Sequence, residues 1–375
     1  MEVRIPVARP TLGAEEMAQL TDVIDAGWIS SGPKVAAFER AVAEFTGAQH
    51  AVAVNTGTAA LHVALAARGI GPGDEVIVPS LTFIATANAV LYQGATLVLC
   101  DNDPVTYNVT AELVREKATD RTRCVIPVEM NGLPLDYESV LPAIQQVGAS
   151  AIIDSAESLG SAHHRSPIGG QAAIHTLSFF PNKTVTTGEG GMVLIRDEET
   201  SERVRMLVNQ GQESRYVHTA LGFNYRMTEM QAAIGLAQMS RIDWVLAEKE
   251  RIATAYDSAF ADIDGIENPA RPSYASAQSW FVYSVRVRDR SVRDYVVSSL
   301  ADLGIETRTG FPPIHTQPYY RDRFGYEPND LPGSVVSYER KIDIPCWAGL
   351  DLDAQDEIIE NLMRFVQDAE SHTSN

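Results

Sequence analysis

Cysteine is rare in this sequence, and long apolar runs are missing from it. Cys100, Cys124 and Cys346 lie far apart in apolar segments, which predicts reduced, buried thiols and neither a disulfide framework nor a metal cluster. No run reaches the roughly eighteen apolar residues that a membrane-spanning helix needs, and the N-terminal sequence MEVRIPVARP lacks a signal-peptide pattern. We therefore expect a cytoplasmic protein without membrane contact.

Basic residues are also in the minority. The chain of 375 residues has 30 Lys and Arg against 49 Asp and Glu, and its formal net charge is −19. Nucleic-acid binding is not expected, because phosphate backbones are bound by basic surfaces and the basic residues here are dispersed. The acidity does not exclude a phosphorylated small molecule, which a local pocket can bind.

Strand and helix patterns alternate in the first half of the chain. Between His50 and Arg196 we count seven short apolar or β-branched segments separated by helical ones. This alternation is typical of one mostly parallel sheet that is covered by helices. We therefore predict an α/β fold with a seven-stranded sheet.

The length of the chain favours two domains. Thr228 and Gln231 form a capping box, from which we predict a single long helix to about Ala261. A helix of that length often bridges two domains. We predict a large domain over residues 1–245, including an N-terminal arm, and a smaller α+β domain over residues 246–375.

One lysine has an unusual setting. Lys183 comes just after an apolar strand predicted at Ile174–Phe180 and is followed by the run TVTTGEGG. Small and flexible neighbours of this kind indicate that a ligand approaches the backbone closely. A buried lysine amine loses part of its preference for the charged form and can attack a carbonyl carbon.

A carboxylate at a strand end is the second signal. Asp154 ends the apolar strand AIID, and open α/β sheets bind ligands at the carboxyl ends of their strands. Pyridoxal 5'-phosphate needs a lysine that holds its aldehyde carbon as a Schiff base and an acid that pairs with its pyridinium nitrogen. Lys183 and Asp154 together therefore indicate this cofactor.

Two further segments have the chemistry of binding loops. The turn Thr56-Gly57-Thr58 lies between a strand and a helix, and it is either a phosphate site or a plain helix cap. It lacks the GK[ST] and GxGxxG patterns, so neither a P-loop nor a dinucleotide fold is predicted there. The loop from Trp28 through Ser30 to Lys34 is either a substrate-facing loop or a plain connection between helices.

Together these motifs resemble the DegT/DnrJ group of fold-type I, aspartate aminotransferase-like pyridoxal-phosphate enzymes, which are mostly sugar aminotransferases. The resemblance covers nearly the whole chain, and the segment SFFPNKTVTTGEGG is its most specific part. The other segments that carry it are GWISSGPKVAAFE, NTGTAALHVAL, VIVPSLTFIATANAV, IIDSAESLGS, GFNYRMTEMQAAIGLAQ and TRTGFPPIHTQPYY.

The resemblance implies a role for individual residues. Lys183 is the implied Schiff-base lysine and Asp154 the implied partner of the pyridinium nitrogen. The further implied contacts are Gly57, Thr58 and Ser178 to the phosphate, Phe83 to one face of the ring, Glu157 near the 3-hydroxyl group, and Asn224 to the phosphate in a neighbouring subunit. Active sites at a homodimer interface are therefore expected.

The activity implied by the resemblance is transfer of an amino group from L-glutamate to a nucleotide-linked keto-deoxy sugar. We expect amination at C4 of a sugar such as GDP-4-keto-6-deoxymannose. A dTDP- or UDP-linked keto sugar and a keto-octulosonate remain alternative acceptors. A sugar dehydratase on the same fold is a further alternative, but such relatives have His in place of the lysine.

Several polar residues have no settled role at this point. Arg226 and His315 are candidates for substrate contact. The pair His163-His164 could ligate a metal, but adjacent residues of an extended loop point apart, so we expect solvent-exposed histidines and no metal site.

Overall fold

The computed structural model describes residues 3–373, which form helices α1–α13 and strands β1–β14. The helices are α1 (Ala14–Ala26), α2 (Pro33–Thr46), α3 (Gly57–Ala67), α4 (Ala85–Tyr92), α5 (Ala111–Lys117), α6 (Tyr137–Gln146), α7 (Glu198–Val208), α8 (Glu229–Met239), α9 (Ile242–Phe260), α10 (Arg290–Asp302), α11 (Pro318–Phe324), α12 (Pro332–Arg340) and α13 (Leu352–Thr373). The strands are β1 (His50–Val54), β2 (Glu75–Pro79), β3 (Thr96–Cys100), β4 (Thr122–Val125), β5 (Ser150–Asp154), β6 (Ala162–His163), β7 (Ser166–Pro167), β8 (Ile174–Ser178), β9 (Gly191–Ile195), β10 (Gln212–Ser214), β11 (Val217–His218), β12 (Ala275–Ala277), β13 (Tyr283–Arg286) and β14 (Lys341–Ile344). None of the helices in this described part has both the length and the apolar character of a membrane span.

The main sheet has seven strands in the order β1-β9-β8-β5-β4-β2-β3. Its neighbours from β8 to β3 pair in parallel, whereas β9 runs antiparallel to both β8 and β1. The predicted seven-stranded, mostly parallel sheet is therefore confirmed. Its parallel strands end at one common edge, where β5 and β8 bring Asp154 and Ser178 close together.

Helices cover both faces of this sheet. Val76 and Val78 of β2 pack in a core with α3 and α4, whereas Ile77 between them packs with α5 and α6. All three side chains are fully buried. Apolar residues at consecutive positions are therefore needed, as in strands that are buried on both sides.

A second core lies in the C-terminal part of the chain. It joins α9, α10 and α13 with β13 and β14, and it also includes Ile5 from the N-terminal arm. Ile5 pairs with Ile305 as an isolated parallel bridge. The division into two domains at residue 245 stays a prediction. Helix α9 crosses this position and packs against residues of both cores. Ile242 packs in the first part, whereas Ile252 packs in the second core.

The prediction of a single helix from Thr228 to about Ala261 is wrong, because the helix is interrupted between α8 and α9. Arg241 has φ −124° and ψ 16°, which are not helical values. Its guanidinium donates a hydrogen bond of 2.6 Å to the carbonyl oxygen of Thr11 and forms an ion pair with Glu16. These contacts to the N-terminal segment compete with continuation of the helix. The predicted capping box of Thr228 and Gln231 is present.

Candidate active site

A cavity of about 410 Å³ lies at the carboxyl ends of β5 and β8. The start of α3 and the segment before α4 form two of its walls. Phe281 and Phe311, from the C-terminal part of the chain, contribute to another. A cavity of this size, with apolar walls and a few converging charged groups, is the usual form of a small-molecule site.

Lys183 is one of the residues that line this cavity. Its Nζ atom lies 3.6 Å from Oε1 of Glu157 and 3.9 Å from the centre of the Phe281 ring, and 12% of the side chain is exposed. Burial lowers the pKa of the Lys183 amine, and the carboxylates of Glu157 and Asp154 oppose this effect. A lysine in this setting is more easily deprotonated than one in water and is therefore a better nucleophile.

Two of the glycines after Lys183 are required by close contacts within the protein, whereas the sequence indicated close approach of a ligand to the backbone. A Cβ atom on Gly191 would lie 2.4 Å from the carbonyl oxygen of Thr56, and one on Gly190 would lie 2.2 Å from the hydroxyl of Thr187. The hydroxyl of Thr187 donates to the carbonyl oxygen of Glu189 at 2.6 Å. The space around Gly190 is thus filled by the turn between β8 and β9 that carries Lys183, and the space around Gly191 by the segment before α3.

Asp154 is buried, with 5% of the residue exposed, and its carboxylate has two partners. The Thr86 hydroxyl donates to Oδ2 at 2.8 Å, and the backbone N–H of Ala156 donates to Oδ1 at 3.2 Å. Burial raises the pKa of Asp154, whereas these two hydrogen bonds and the charge of Lys183 lower it. Burial is the largest of these effects, so the pKa of Asp154 is raised, and a protonated ring nitrogen beside the carboxylate would stabilise its ionised form.

Glu157 faces Lys183 from the loop that follows β5. Its Oε2 atom accepts a hydrogen bond of 2.8 Å from the backbone N–H of Asn131, and only 6% of the residue is exposed. One carboxylate oxygen is therefore held by the backbone while the other faces the lysine amine.

The start of α3 forms another part of the cavity wall. The Thr56 hydroxyl accepts a hydrogen bond from the N–H of Ala59 at 3.0 Å, and Gly57 and Thr58 lie on the cavity wall. A Cβ atom on Gly57 would lie 2.8 Å from Cβ of Ser178, so only glycine allows the helix to begin this close to β8. The first N–H groups of a helix have no partner within it and attract anions.

Residues 10–363 match the DegT/DnrJ/EryC1/StrS aminotransferase family. This chain belongs to that family. The GDP-perosamine synthase of Caulobacter vibrioides is 40% identical over 364 residues, which are 96% of this chain and 97% of that protein. The spore coat polysaccharide biosynthesis protein SpsC of Bacillus subtilis is 35% identical over an alignment of 382 positions, which covers 98% of this chain and 98% of that protein.

Solved structures agree with this membership. Spr1654 of Streptococcus pneumoniae, assigned as a sugar aminotransferase and solved in its PMP form, has a TM-score of 0.95 and 27% identity. The superposition covers 99% of this chain and 100% of that one. Spr1654 has also been solved in a PLP form. The predicted fold class, the family and its pyridoxal-phosphate cofactor are thereby confirmed, and the chain is a sugar aminotransferase.

The cavity contains most of the cofactor contacts expected of this family member. Its walls include Gly57, Thr58, Phe83, Asp154, Glu157, Ser178 and Lys183. Phe83 stays 55% exposed at the cavity, and its ring centre lies 5.4 Å from that of Phe311. The individual roles of these residues stay predictions.

The loop between α1 and α2 lies outside the cavity walls. Trp28 and Ser30 are exposed, and the Trp28 indole N–H donates to the carbonyl oxygen of Ser31 at 3.1 Å. The Lys34 ammonium donates to the side chains of Gln19 at 2.6 Å and Asp22 at 3.1 Å. The charge of Lys34 therefore joins α2 to α1, and a substrate contact by this residue is not supported within one chain.

The three other polar candidates do not line the cavity either. Asn224 is exposed, as a residue directed at a neighbouring subunit would be. Arg226 donates to Oδ1 of Asn209 at 2.9 Å. His315 is fully buried, and its ring nitrogens lie 2.7 Å from the Ser80 hydroxyl and 3.2 Å from the Pro328 carbonyl oxygen. His315 thus connects two loops and has no ring nitrogen left for a substrate.

The expectation of exposed, divergent histidines is wrong for His163, whereas His164 is exposed as expected. His163 is buried, with 7% exposed, and its ring centre lies 4.4 Å from that of His164. Tyr137 and Tyr274 pack around His163, which explains its burial. Within the described residues no three potential metal-ligating side chains come together.

Three contributors to the site were missed in the sequence. Thr86 lies in the first turn of α4, three residues after Phe83, which precedes the helix, and both line the cavity; its nearness in sequence to Phe83 could have indicated it. Asn131 acts through its backbone N–H, and Phe281 comes from a distant segment. No local pattern indicates either of these two contacts.

Proposed function

We propose that this enzyme transfers the amino group of L-glutamate to C4 of a GDP-linked 4-keto-6-deoxy sugar. The observation that carries the proposal is the buried amine of Lys183, which lies in one cavity with Asp154 and Glu157. The acceptor is inferred from the relative that is 40% identical and named GDP-perosamine synthase.

The residues of the cavity fit pyridoxal phosphate. The N-terminus of α3, with Gly57 packed closely against Ser178, offers N–H donors for the phosphate. Asp154 offers a buried acceptor for the ring nitrogen, and Phe83 an exposed aromatic face. The amine of Lys183 is the group that would hold the aldehyde carbon. When bound, the cofactor supplies that carbon as an amino-group carrier and a ring that withdraws electrons.

The protein's own groups then have separate tasks. Asp154, held by the Thr86 hydroxyl, would accept a hydrogen bond from a protonated ring nitrogen and so favour the electron-withdrawing form of the ring. The amine of Lys183, when it is free, would take a proton from the donor's Cα atom and act as the general base and acid of the site. Its lowered pKa keeps part of the amine neutral and able to accept that proton. Phe281 covers the amine and keeps water from it.

A homodimer is part of the proposal. Trp28 and Ile29 are more than half exposed, and Leu221 is 90% exposed, close in sequence to Asn224. Large exposed apolar side chains of this kind are common at interfaces between subunits. Asn224 would reach the phosphate in the neighbouring subunit's cavity across such an interface. We further propose that the enzyme acts in the cytoplasm.

Alternative acceptors differ in nucleotide or sugar. A dTDP- or UDP-linked keto sugar or a keto-octulosonate would use the same cavity and the same lysine. A dehydratase is disfavoured, because Lys183 occupies the position at which such relatives have His.

The first experiment is an absorption spectrum of the purified enzyme before and after L-glutamate is added. We expect a visible band from the lysine-bound cofactor that is replaced by the spectrum of the aminated form. Lys183→Ala should abolish the visible band, whereas Lys117→Ala on α5, outside the cavity, should keep it. No band after addition of pyridoxal phosphate would refute the proposed site.

The second experiment identifies the acceptor. The glutamate-treated enzyme is mixed with GDP-, dTDP- and UDP-linked 4-keto-6-deoxy sugars and with a keto-octulosonate, and return of the visible band is measured. We expect return with the GDP sugar, and NMR of the product should locate the new amino group at C4. Return with only a dTDP or UDP sugar would contradict the proposed nucleotide and leave the aminotransferase activity intact.

A further inference from the structure

A buried lysine on β14 donates a hydrogen bond to the turn whose backbone is hydrogen-bonded to the Glu157 carboxylate. Lys341 is 3% exposed, and its Nζ atom lies 3.2 Å from Oδ1 of Asp343 and 2.8 Å from Oδ1 of Asn131. Asp343 also accepts a hydrogen bond from the Ser284 hydroxyl. The ammonium is thus paired with a carboxylate on its own strand and donates to a side chain 210 positions away in sequence.

Asn131 is the link to the cavity. Its backbone has φ 59°, in the left-handed region that few residues other than glycine adopt, and it belongs to a tight turn over Met130–Gly132. Its backbone N–H donates to Oε2 of Glu157 at 2.8 Å. The direction of this N–H depends on the unusual backbone conformation, and the bond from Lys341 to the Asn131 side chain restrains the same residue.

We infer that Lys341 is a positioning residue of the active site, which acts through Asn131 to keep the Glu157 carboxylate beside Lys183. The inference rests on the proposed roles of Lys183 and Glu157. It assigns to the C-terminal part of the chain a polar contribution to the cavity in addition to the aromatic rings. Lys341 itself does not line the cavity, so its effect is indirect.

The chain of contacts predicts a measurable electrostatic effect. The charged groups that act on the Lys183 amine are the carboxylates of Glu157 and Asp154, which favour its protonated form, and the Lys249 ammonium, whose like charge opposes it. If the Asn131 turn relaxes, the Glu157 carboxylate loses its backbone donor and is free to move away from the amine. The protonated form of the nitrogen at Lys183 then loses part of its stabilisation.

The groups around Lys341 must be considered as well. Asp343 is its ion-pair partner, the ring centre of Tyr107 lies 5.4 Å from its Nζ, and Arg286 is its cross-strand neighbour on β13. The Arg286 guanidinium is bonded to Glu267 at 3.1 Å and does not depend on Lys341. If the charge of Lys341 is removed, Asp343 therefore loses its described ion-pair partner and becomes a buried, unpaired carboxylate. The described ion pair of Arg286 is kept.

The test uses the holoenzyme and the pH titration of its visible absorption band. Lys341→Met keeps the length of the side chain and removes the donor. We expect the pH midpoint of the band to fall by about half a unit or more, because a nearby opposite charge commonly changes a pKa by one unit or more. We also expect kcat to fall more than KM changes, since the substrate does not contact Lys341.

Two matched variants separate positioning from a purely structural role. Asp343→Asn keeps the lysine and its bond to Asn131, so the midpoint should stay at the wild-type value. The double variant Lys341→Met/Asp343→Asn leaves no unpaired buried charge and should show the same lowered midpoint as the single lysine variant. If Lys341→Met alone fails to fold, the midpoint is measured in the double variant instead.

Four results would overturn the inference. A wild-type midpoint in the double variant would mean that only the unpaired carboxylate matters. A lowered midpoint in Asp343→Asn would assign the effect to the ion pair. Absence of the visible band in the wild-type enzyme would refute the proposed cofactor lysine and this inference with it. A visible band in the wild-type enzyme with the same pH midpoint in all three variants would overturn the inference alone.

Discussion

The hydroxyl of Thr86 offers a sharp test of how Asp154 is held. It donates to Oδ2 of Asp154 at 2.8 Å, and both residues are buried. Thr86→Val keeps the shape of the side chain and removes the donor. Burial already raises the pKa of Asp154, and loss of this bond should raise it further. The carboxylate would then hold its own proton at a higher pH and pair less well with a protonated ring nitrogen.

The size of the effect follows from the strength of the bond. A hydrogen bond to a charged group contributes about 1.5–3 kcal/mol. At about 1.4 kcal/mol for each pKa unit, the pKa of Asp154 should rise by roughly one to two units. The acidic limb of the pH–rate profile should move to higher pH by the same amount. Below that limb the rate should fall by about ten- to a hundredfold, since about 1.4 kcal/mol corresponds to a factor of ten.

The assay is the single-turnover reaction of the enzyme with its amino donor, followed by the visible band between acidic and neutral pH. This half-reaction needs no knowledge of the acceptor. Thr86→Ser retains a hydroxyl and should keep the acidic limb near its wild-type position. An unchanged acidic limb in Thr86→Val would refute the role assigned to this hydrogen bond.

Two other predictions concern packing and burial. Gly57→Ala would bring a Cβ atom to 2.8 Å from Cβ of Ser178, and because overpacking costs about 1–3 kcal/mol, we expect a cofactor dissociation constant about tenfold higher or more, measured by absorbance titration. Unchanged affinity would show that α3 can move freely. Burial lowers the pKa of Lys249 from 10.5 to about 8. Between these pH values the unfolded chain without cofactor binds more protons than the folded chain, so the free energy of unfolding rises with pH. Lys249→Met should therefore raise the free energy of unfolding in urea by up to about 3 kcal/mol at pH 7 and by less at pH 10, and an equal gain at both would contradict the assigned cause.

The sheet and the two central residues of the site could be predicted from local patterns. Strands buried on both faces have consecutive apolar residues, and a polar residue that ends such a strand lies at the sheet edge where ligands bind. Asp154 was found in this way, and Lys183 by its position after a strand. Both signals depend on a few neighbouring residues.

Features that depend on distant contacts could not be predicted. The break before α9 is stabilised by contacts from Arg241 to Thr11 and Glu16, more than two hundred positions away in sequence. Lys34 has the charge expected of a substrate-facing loop, yet it pairs with Asp22 on the preceding helix. In each case tertiary partners determine the conformation or role, and the local sequence does not contain them.

The chemistry of Lys183 is a product of both parts of the chain. The first part supplies Lys183 and the carboxylates of Asp154 and Glu157, which favour the protonated amine. Phe281, from the C-terminal part, covers the amine at 3.9 Å and contributes to the burial that favours the neutral form. Because these effects oppose each other, the protonation state of the lysine depends on how closely the two parts pack. A residue that fixes this packing can therefore change the reaction without contact with the substrate.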